Sequence, residues 1–224
     1  MPDAAAGRLA AVLEALAAEP DPPTTERTPE AALRAHVADS LSGLEVEELS
    51  RAARIADLGA GAGFPGLVLA VARPDAQVDL IESAARKCAV IDRLSRAADI
   101  DNARSVRARV EEWGATPAVL GGGAGGYDAV TARALGPLPL VAEYAAPLLR
   151  DGGVLVAWKG ARDADEEAAG AAAAAALGMR PEEPRSVVPF EGALHRHLHV
   201  WRKVAPTPER FPRRAGIARK RPLA

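Results

Sequence analysis

Arg54-Ile55-Ala56-Asp57-Leu58-Gly59-Ala60-Gly61-Ala62-Gly63-Phe64-Pro65-Gly66 carries more structural information than any other stretch of this 224-residue chain. Ile55 to Leu58 form a short apolar strand interrupted by Asp57, and Gly59, Gly61 and Gly63 then alternate. An apolar segment, Leu67 to Ala72, follows. Alternating glycines at a strand end let the backbone turn with positive φ and let a ligand lie directly on the main chain. The start of the following helix is expected to offer unpaired N–H groups to that ligand. The carboxylate of Asp57, just before the glycines, argues against a phosphate there and suits a ligand with a cationic or hydroxyl-rich end. S-adenosylmethionine (SAM) is such a ligand. Gly61, Gly63 and Gly66 also satisfy G-x-G-x-x-G, so a dinucleotide remains an alternative. Glu82, closing the next strand (Gln77 to Ile81), could hold the ribose hydroxyls of either cofactor.

Working outward, strands and helices alternate. Helices are predicted over 3–18, carrying Leu9, Leu13 and Leu16, and from Thr28-Pro29 onward, carrying Leu33, Val37 and Leu41. Thr28 is the expected N-cap, with Pro29 in the first turn. A short helix over 43–53 leads into the glycine-loop strand. Further helices are expected over 84–97, 139–149 and 163–177, and strands over 105–109, 127–133 and 153–158. Residues 187–190 and 194–204 should close the fold as an antiparallel pair. This alternation predicts an α/β fold with a mostly parallel, seven-stranded sheet, helices on both faces and an antiparallel C-terminal strand. Ligands of such sheets bind at the carboxyl ends of the strands, where the strand order reverses. The expected organisation is an N-terminal helical region (1–53), a ligand-binding core (54–204) and a basic C-terminal tail (205–224).

Composition narrows the function classes. No apolar run is long enough to span a bilayer, and residues 1–18 lack the basic start and cleavage site of a signal peptide. The single Cys88 excludes a disulfide framework and a cysteine-based zinc site. A cytoplasmic monomer with no metal and no membrane or DNA partner is the expectation. The net charge of −2 conceals an asymmetry: residues 202–224 hold eight basic side chains against one acid, Glu209. That +7 segment sits on a −9 body. A basic tail on an acidic body suggests a polyanion partner, bound with strong salt dependence.

Beyond the glycine loop, other runs fall into a recognisable order. His36-Val37-Ala38-Asp39-Ser40-Leu41 precedes it, and Glu82-Ser83 with Arg86-Lys87, Arg109-Val110-Glu111-Glu112, Thr131-Ala132-Arg133-Ala134, Trp158-Lys159-Gly160, Pro212-Arg213-Arg214 and Lys220-Arg221-Pro222-Leu223 follow. Taken together, over roughly residues 30–224, these resemble the RsmG (GidB) methyltransferases. That resemblance implies a Rossmann-like, class I SAM-dependent fold. It also implies methyl transfer to N7 of one guanine of bacterial 16S rRNA near the decoding centre, on free rRNA or a small-subunit particle. Asp57, Gly59, Gly61, Phe64, Glu82, Val110, Glu111 and Arg133 become the expected cofactor residues. Arg133 and Lys159 become candidates for positioning the target guanine, through a phosphate or its O6 edge. His36, Lys159, Arg213, Arg214, Arg219, Lys220 and Arg221 become expected RNA contacts, with a packing role for His36 favoured over contact. The chain departs from the family pattern at Ala35, where a basic residue usually precedes the histidine.

Guanine N7 has an exposed lone pair and loses no proton on methylation, so no general base is needed, and no acid/base pair stands out. Aromatic residues make up 4% of the chain, leaving few stacking platforms; Trp113 and Trp201 are expected in the core, with Trp158 the best exception. A SAM-dependent enzyme acting on another substrate and an NAD-binding oxidoreductase remain the competing readings.

Overall fold

The computed structural model describes residues 3–26 and 28–223. In chain order the elements are α1 (Asp3–Ala18), α2 (Pro29–Ala32), a π-helical turn (Leu33–Ala38), α3 (Asp39–Leu41), a 3-10 turn (Ser42–Glu45), α4 (Glu47–Arg51), β1 (Arg54–Leu58), α5 (Gly66–Ala72), β2 (Gln77–Glu82), α6 (Ala85–Ala97) and β3 (Ala103–Arg107). They continue as α7 (Val110–Ala115), a 3-10 turn (Ala118–Leu120), β4 (Tyr127–Arg133), α8 (Leu138–Ala145), β5 (Leu149–Lys159), α9 (Ala164–Ala176), β6 (Met179–Pro181), β7 (Arg185–Val187), β8 (Arg196–Lys203) and α10 (Ile217–Lys220).

The sheet runs β3-β2-β1-β4-β5-β8-β6, with β7 also paired to β8. The first five strands are parallel, and β8 lies antiparallel to β5. Eight strands replace the expected seven because β6 and β7 share one edge of β8, pairing with its Trp201–Lys203 and Arg196–Leu198 ends respectively. The expected pair at the C-terminus forms, but its first strand lies at 185–187 rather than 187–190. The helix expected to reach Leu149 stops at Ala145, because Leu149 already pairs with Tyr127 in β5. Gly152, at φ +76°, accommodates the irregular register that follows.

Ile55, Ala56, Asp57 and Leu58 are all buried, as expected of a central strand covered on both faces. One face packs against α5 and α6, with α1 laid against those two helices, and this side buries Leu13, Val37 of the π-helical turn, Leu67, Leu69, Ile91 and Leu94. The other packs against α8 and α9 and receives the C-terminal segment, which buries Phe211 and Ala218 there. Local signals explain the helix starts. Thr28 accepts the Ala31 N–H (3.2 Å), and Asp163 accepts those of Asp165 and Glu166 (3.0 Å each). The stretch from Pro29 to Leu41, read as one regular helix, is instead interrupted by the π-helical turn. No helix among the described residues is long and apolar enough to cross a membrane.

Candidate active site

The chain leaves β1 through Gly59, Gly61 and Gly63, at φ +62°, +60° and +96°. A methyl group on Gly59 would lie 2.6 Å from Leu135 Cδ1, which would have to shift, and the positive φ itself disfavours a side chain at this position. Asp57, expected to meet the cofactor, does not face a cavity. It is fully buried; its Oδ1 accepts the Thr131 hydroxyl (2.8 Å) and its Oδ2 the Gly66 N–H (3.0 Å). The strand's alternation turns this carboxylate beneath the loop, where it anchors the start of α5. The expectation of open donors on that helix is likewise corrected: Gly66 N–H is spent on Asp57, and Leu67 N–H on Gly63 O (2.7 Å).

Burial raises the Asp57 carboxyl to about 6, against the opposing pull of Thr131, Gly66 and Arg133. A folded-state pKa above the unfolded value means the folded state binds more protons between about 4 and 6. This group's contribution to stability is therefore present at low pH and lost as pH rises through that window, by roughly 3 kcal/mol. Asp57→Asn should remove that component. Urea melts of both proteins at pH 4, 5 and 6 check this: the variant's stability relative to wild type should rise with pH, and a constant difference would contradict it.

Two adjacent chambers open at the carboxyl ends of β1, β2, β4 and β5, beside the reversal in strand order. The wide chamber, about 600 Å³, is lined by Thr24, His36, Phe64, Arg133, Lys159 and Arg196, among others. The narrow chamber, about 290 Å³, is lined by Glu82, Val110, Glu111, Leu135, Tyr144 and Arg219, among others. Gly59, Lys87 and Ala134 border both. At the narrow end, the Glu82 carboxylate accepts the N–H groups of Ala84 (2.8 Å) and Gly61 (3.2 Å), with the Lys87 ammonium at 3.9 Å. Gly61 thus acts on the cleft partly by fixing Glu82. Glu111 opens α7, and its Oε1 accepts the Gly216 N–H from the C-terminal segment (2.8 Å). Burial, followed by the Glu111 carboxylate, raises the Tyr144 phenol above its ordinary range, while Arg219 pulls it back.

At the wide end, Arg133 donates to Ala35 O (2.8 Å) and Asp39 Oδ2 (3.0 Å) and reaches His36 Nδ1 (3.1 Å). A guanidinium only donates, so His36 Nδ1 accepts and its proton sits on Nε2. That proton goes to Thr24 Oγ1 (2.8 Å). Burial and then Arg133 lower the His36 pKa to about 4, which keeps the ring neutral. The ring stacks on Phe64, centroids 4.5 Å apart and 10° from parallel. The π-helical turn supplies Ala35 O and His36 to this cluster, and such turns recur at functional sites. Lys159 is held by Glu166 (2.6 Å) while still bordering the chamber. Arg196 Nε lies 3.4 Å from Asp39 Oδ1, and neither buried atom has a hydrogen-bond partner.

The structure therefore brings together Gly59, Gly61, Phe64, Glu82, Val110, Glu111, Arg133, His36 and Lys159, and leaves Asp57 beneath them. It divides the basic tail. Arg213 forms a two-bond ion pair with Glu143 (2.7 and 2.5 Å), whose side chain is 1% exposed, so Arg213 is a structural clasp rather than a free RNA contact. Arg219 faces the narrow chamber. Arg214, Lys220 and Arg221 are exposed. Trp158, the best candidate platform, is buried at the edge of the wide chamber and spends its indole N–H on Asp39 O (2.8 Å). The sequence reading missed Thr24, Asp39, Lys87, Tyr144 and Arg196. Asp39 had a signal: a carboxylate three residues after His36 shares a side of the helix with it. The others come from distant parts of the chain, and nothing local marks them.

A family described as rRNA small subunit methyltransferase G (GidB) matches residues 23–198. A ribosomal RNA small subunit methyltransferase G of Rubrobacter xylanophilus is 42% identical over 202 residues, covering 88% of this chain and 75% of its own. Its namesake from Symbiobacterium thermophilum is 39% identical, covering 84% and 77%. Among solved structures, a putative sarcosine dimethylglycine methyltransferase from Galdieria sulphuraria superposes with a TM-score of 0.58 at 16% identity, covering 78% of this chain and 87% of its own. A Burkholderia thailandensis 1,6-didemethyltoxoflavin-N1-methyltransferase, solved with S-adenosylhomocysteine, superposes with a TM-score of 0.54 at 18% identity, covering 77% and 80%. Both are similar in fold.

Proposed function

Because the chain belongs to the rRNA small subunit methyltransferase G family, we propose that it methylates N7 of one guanine of bacterial 16S rRNA near the decoding centre. It is a SAM-dependent rRNA methyltransferase, and the NAD-oxidoreductase alternative falls with that assignment. The observation that carries the finer reading is the two-chamber cleft, where Glu82 and Glu111 border the narrow chamber beside Lys87, Arg109 and Arg219, and Arg133, Lys159 and Arg196 border the wide one.

The residues fit the cofactor. Glu82, fixed by two backbone N–H groups, offers acceptors to ribose hydroxyls. Val110 and the remaining oxygen of Glu111 suit the adenine edge, and Gly59 leaves its backbone open to close approach. Bound there, SAM supplies an electrophilic methyl group on a sulfonium. The protein's own task is orientation, because guanine N7 presents a lone pair without a proton to remove. His36 stays neutral and stacked on Phe64, which forms an apolar wall. Arg133 commits its donors to Ala35, Asp39 and His36, so it is a positioning residue that fixes that wall. Lys159 and Arg196, at the wide chamber, are suited to a phosphate or the guanine O6 acceptor, leaving N7 free to attack. Arg214, Lys220 and Arg221 supply phosphate contacts outside the cleft. We place the enzyme in the cytoplasm as a monomer, acting on rRNA or an assembling small subunit.

Two measurements test this. Calorimetry should detect binding of SAM and S-adenosylhomocysteine and none of NAD. Mass spectrometry of 16S rRNA from cells with and without the gene should show the loss of one 7-methylguanine. An unchanged methylation pattern would refute the substrate.

A further inference from the structure

The C-terminal segment was expected to be an RNA-binding tail, yet much of it is spent on the protein itself. Phe211 and Ala218 are buried against the α8–α9 side of the sheet. Arg213 pairs with Glu143 and also donates to Arg221 O (2.8 Å). Gly216, at φ +83°, turns the chain so that its N–H reaches Glu111 Oε1 at 2.8 Å. These ties carry Arg219 to the wall of the narrow chamber, beside Val110, Glu111 and Tyr144. The neighbouring cations, Lys220 and Arg221, lie outside that wall.

We propose that Arg219 is a cofactor-binding residue, closing the chamber over the adenosine end of the methyl donor. The proposal rests on the cofactor reading above. A guanidinium suits this position for two chemical reasons. Its plane can stack on a purine face, and its N–H fork can donate to purine ring nitrogens. Glu111 beside it supplies an acceptor for the adenine amino group, so the two together present the donor and acceptor pattern that adenine requires. The same segment turns Arg214, Lys220 and Arg221 to solvent, so one short piece of chain serves cofactor on its inner side and RNA phosphate on its outer side.

Calorimetric titration of the full chain with S-adenosylhomocysteine, in the absence of RNA, tests the assignment. Arg219→Ala should weaken binding at least tenfold. Lys220→Ala and Arg221→Ala, which remove the same charge from neighbouring positions, should stay within twofold of wild type. Arg219→Lys should fall between, retaining the charge without the planar fork. Arg219 is exposed, so the melting temperature of the ligand-free variant should stay close to wild type. Arg219→Ala binding within twofold of wild type overturns the proposal while leaving the cofactor reading intact. Equal losses in all three alanine variants overturn it in favour of a general charge effect, and a large fall in ligand-free melting temperature overturns it in favour of a packing role. Failure of the wild-type protein to bind S-adenosylhomocysteine overturns the cofactor reading itself.

Discussion

Arg133→Ala should lower kcat/KM for rRNA methylation by roughly a hundredfold or more and destabilise the fold by roughly 3 kcal/mol. The stability loss follows from burial. The Arg133 and Asp39 side chains are 15% and 6% exposed, and removing Arg133 leaves the buried Asp39 carboxylate facing only Arg196, at 3.4 Å and without a hydrogen bond. The activity loss follows from geometry. Arg133 holds Ala35 O, His36 and Asp39 in one place, and through them the Phe64 wall of the wide chamber. A shift of about 1 Å in groups that orient substrate can cost a hundredfold. Single-turnover assays at saturating SAM and rRNA, performed well below the variant's melting temperature, separate the two effects. Arg133→Lys should recover part of the stability by restoring the charge opposite Asp39. It should recover less of the rate, because an ammonium cannot reproduce the planar fork. Full turnover by Arg133→Ala would remove the positioning role.

Arg213→Ala should be as damaging to stability, for a reason unrelated to RNA. Glu143 is buried on α8, and Arg213 supplies both hydrogen bonds to its carboxylate. Alanine would strand that charge at a cost of roughly 3–5 kcal/mol, a fall in Tm of roughly 10 °C for a chain of this size. The C-terminal segment should loosen with it, so S-adenosylhomocysteine affinity should drop as well. Replacing Arg213 and Glu143 together by methionine should recover most of the stability, because a buried ion pair is often no better than an apolar pair of similar volume. Thermal melts of the single and double variants check this. A single variant as stable as wild type would return Arg213 to the set of free RNA contacts.

The core of the fold was legible because its signals are local. A strand followed by spaced glycines, Thr28 before Pro29, and the repeated strand–helix alternation each need only a few neighbouring residues. Glu82 was legible for the same reason, closing a strand whose type was clear, whereas Glu111 was expected only from the family resemblance. What could not be read was direction and partnership. Asp57 lies at the expected strand end, but only the folded structure shows its carboxylate turned under the loop toward Thr131 and Gly66. The tail showed the same limit. Its charge was plain, yet composition treats Arg213, Arg219 and Lys220 alike, whereas one is clasped to Glu143, one faces the narrow chamber and one meets solvent. The extra strand, β6, escaped notice because it is three residues long, too short to show alternation, and pairs only where β8 offers an edge.

The cleft takes Thr24 from a segment before the sheet and Arg219 from a segment after it. A partly folded chain holding only β1 to β5 would own the glycine loop and Glu82 but neither of these walls. The Gly216 N–H tie to Glu111 spans 105 residues, a large loop to close. Ligand that binds only the finished cleft stabilises the state in which both ends are docked. With Arg219 on the methyl donor as proposed, the donor's concentration relative to its dissociation constant adds to how firmly the C-terminal segment stays docked and shielded from a protease.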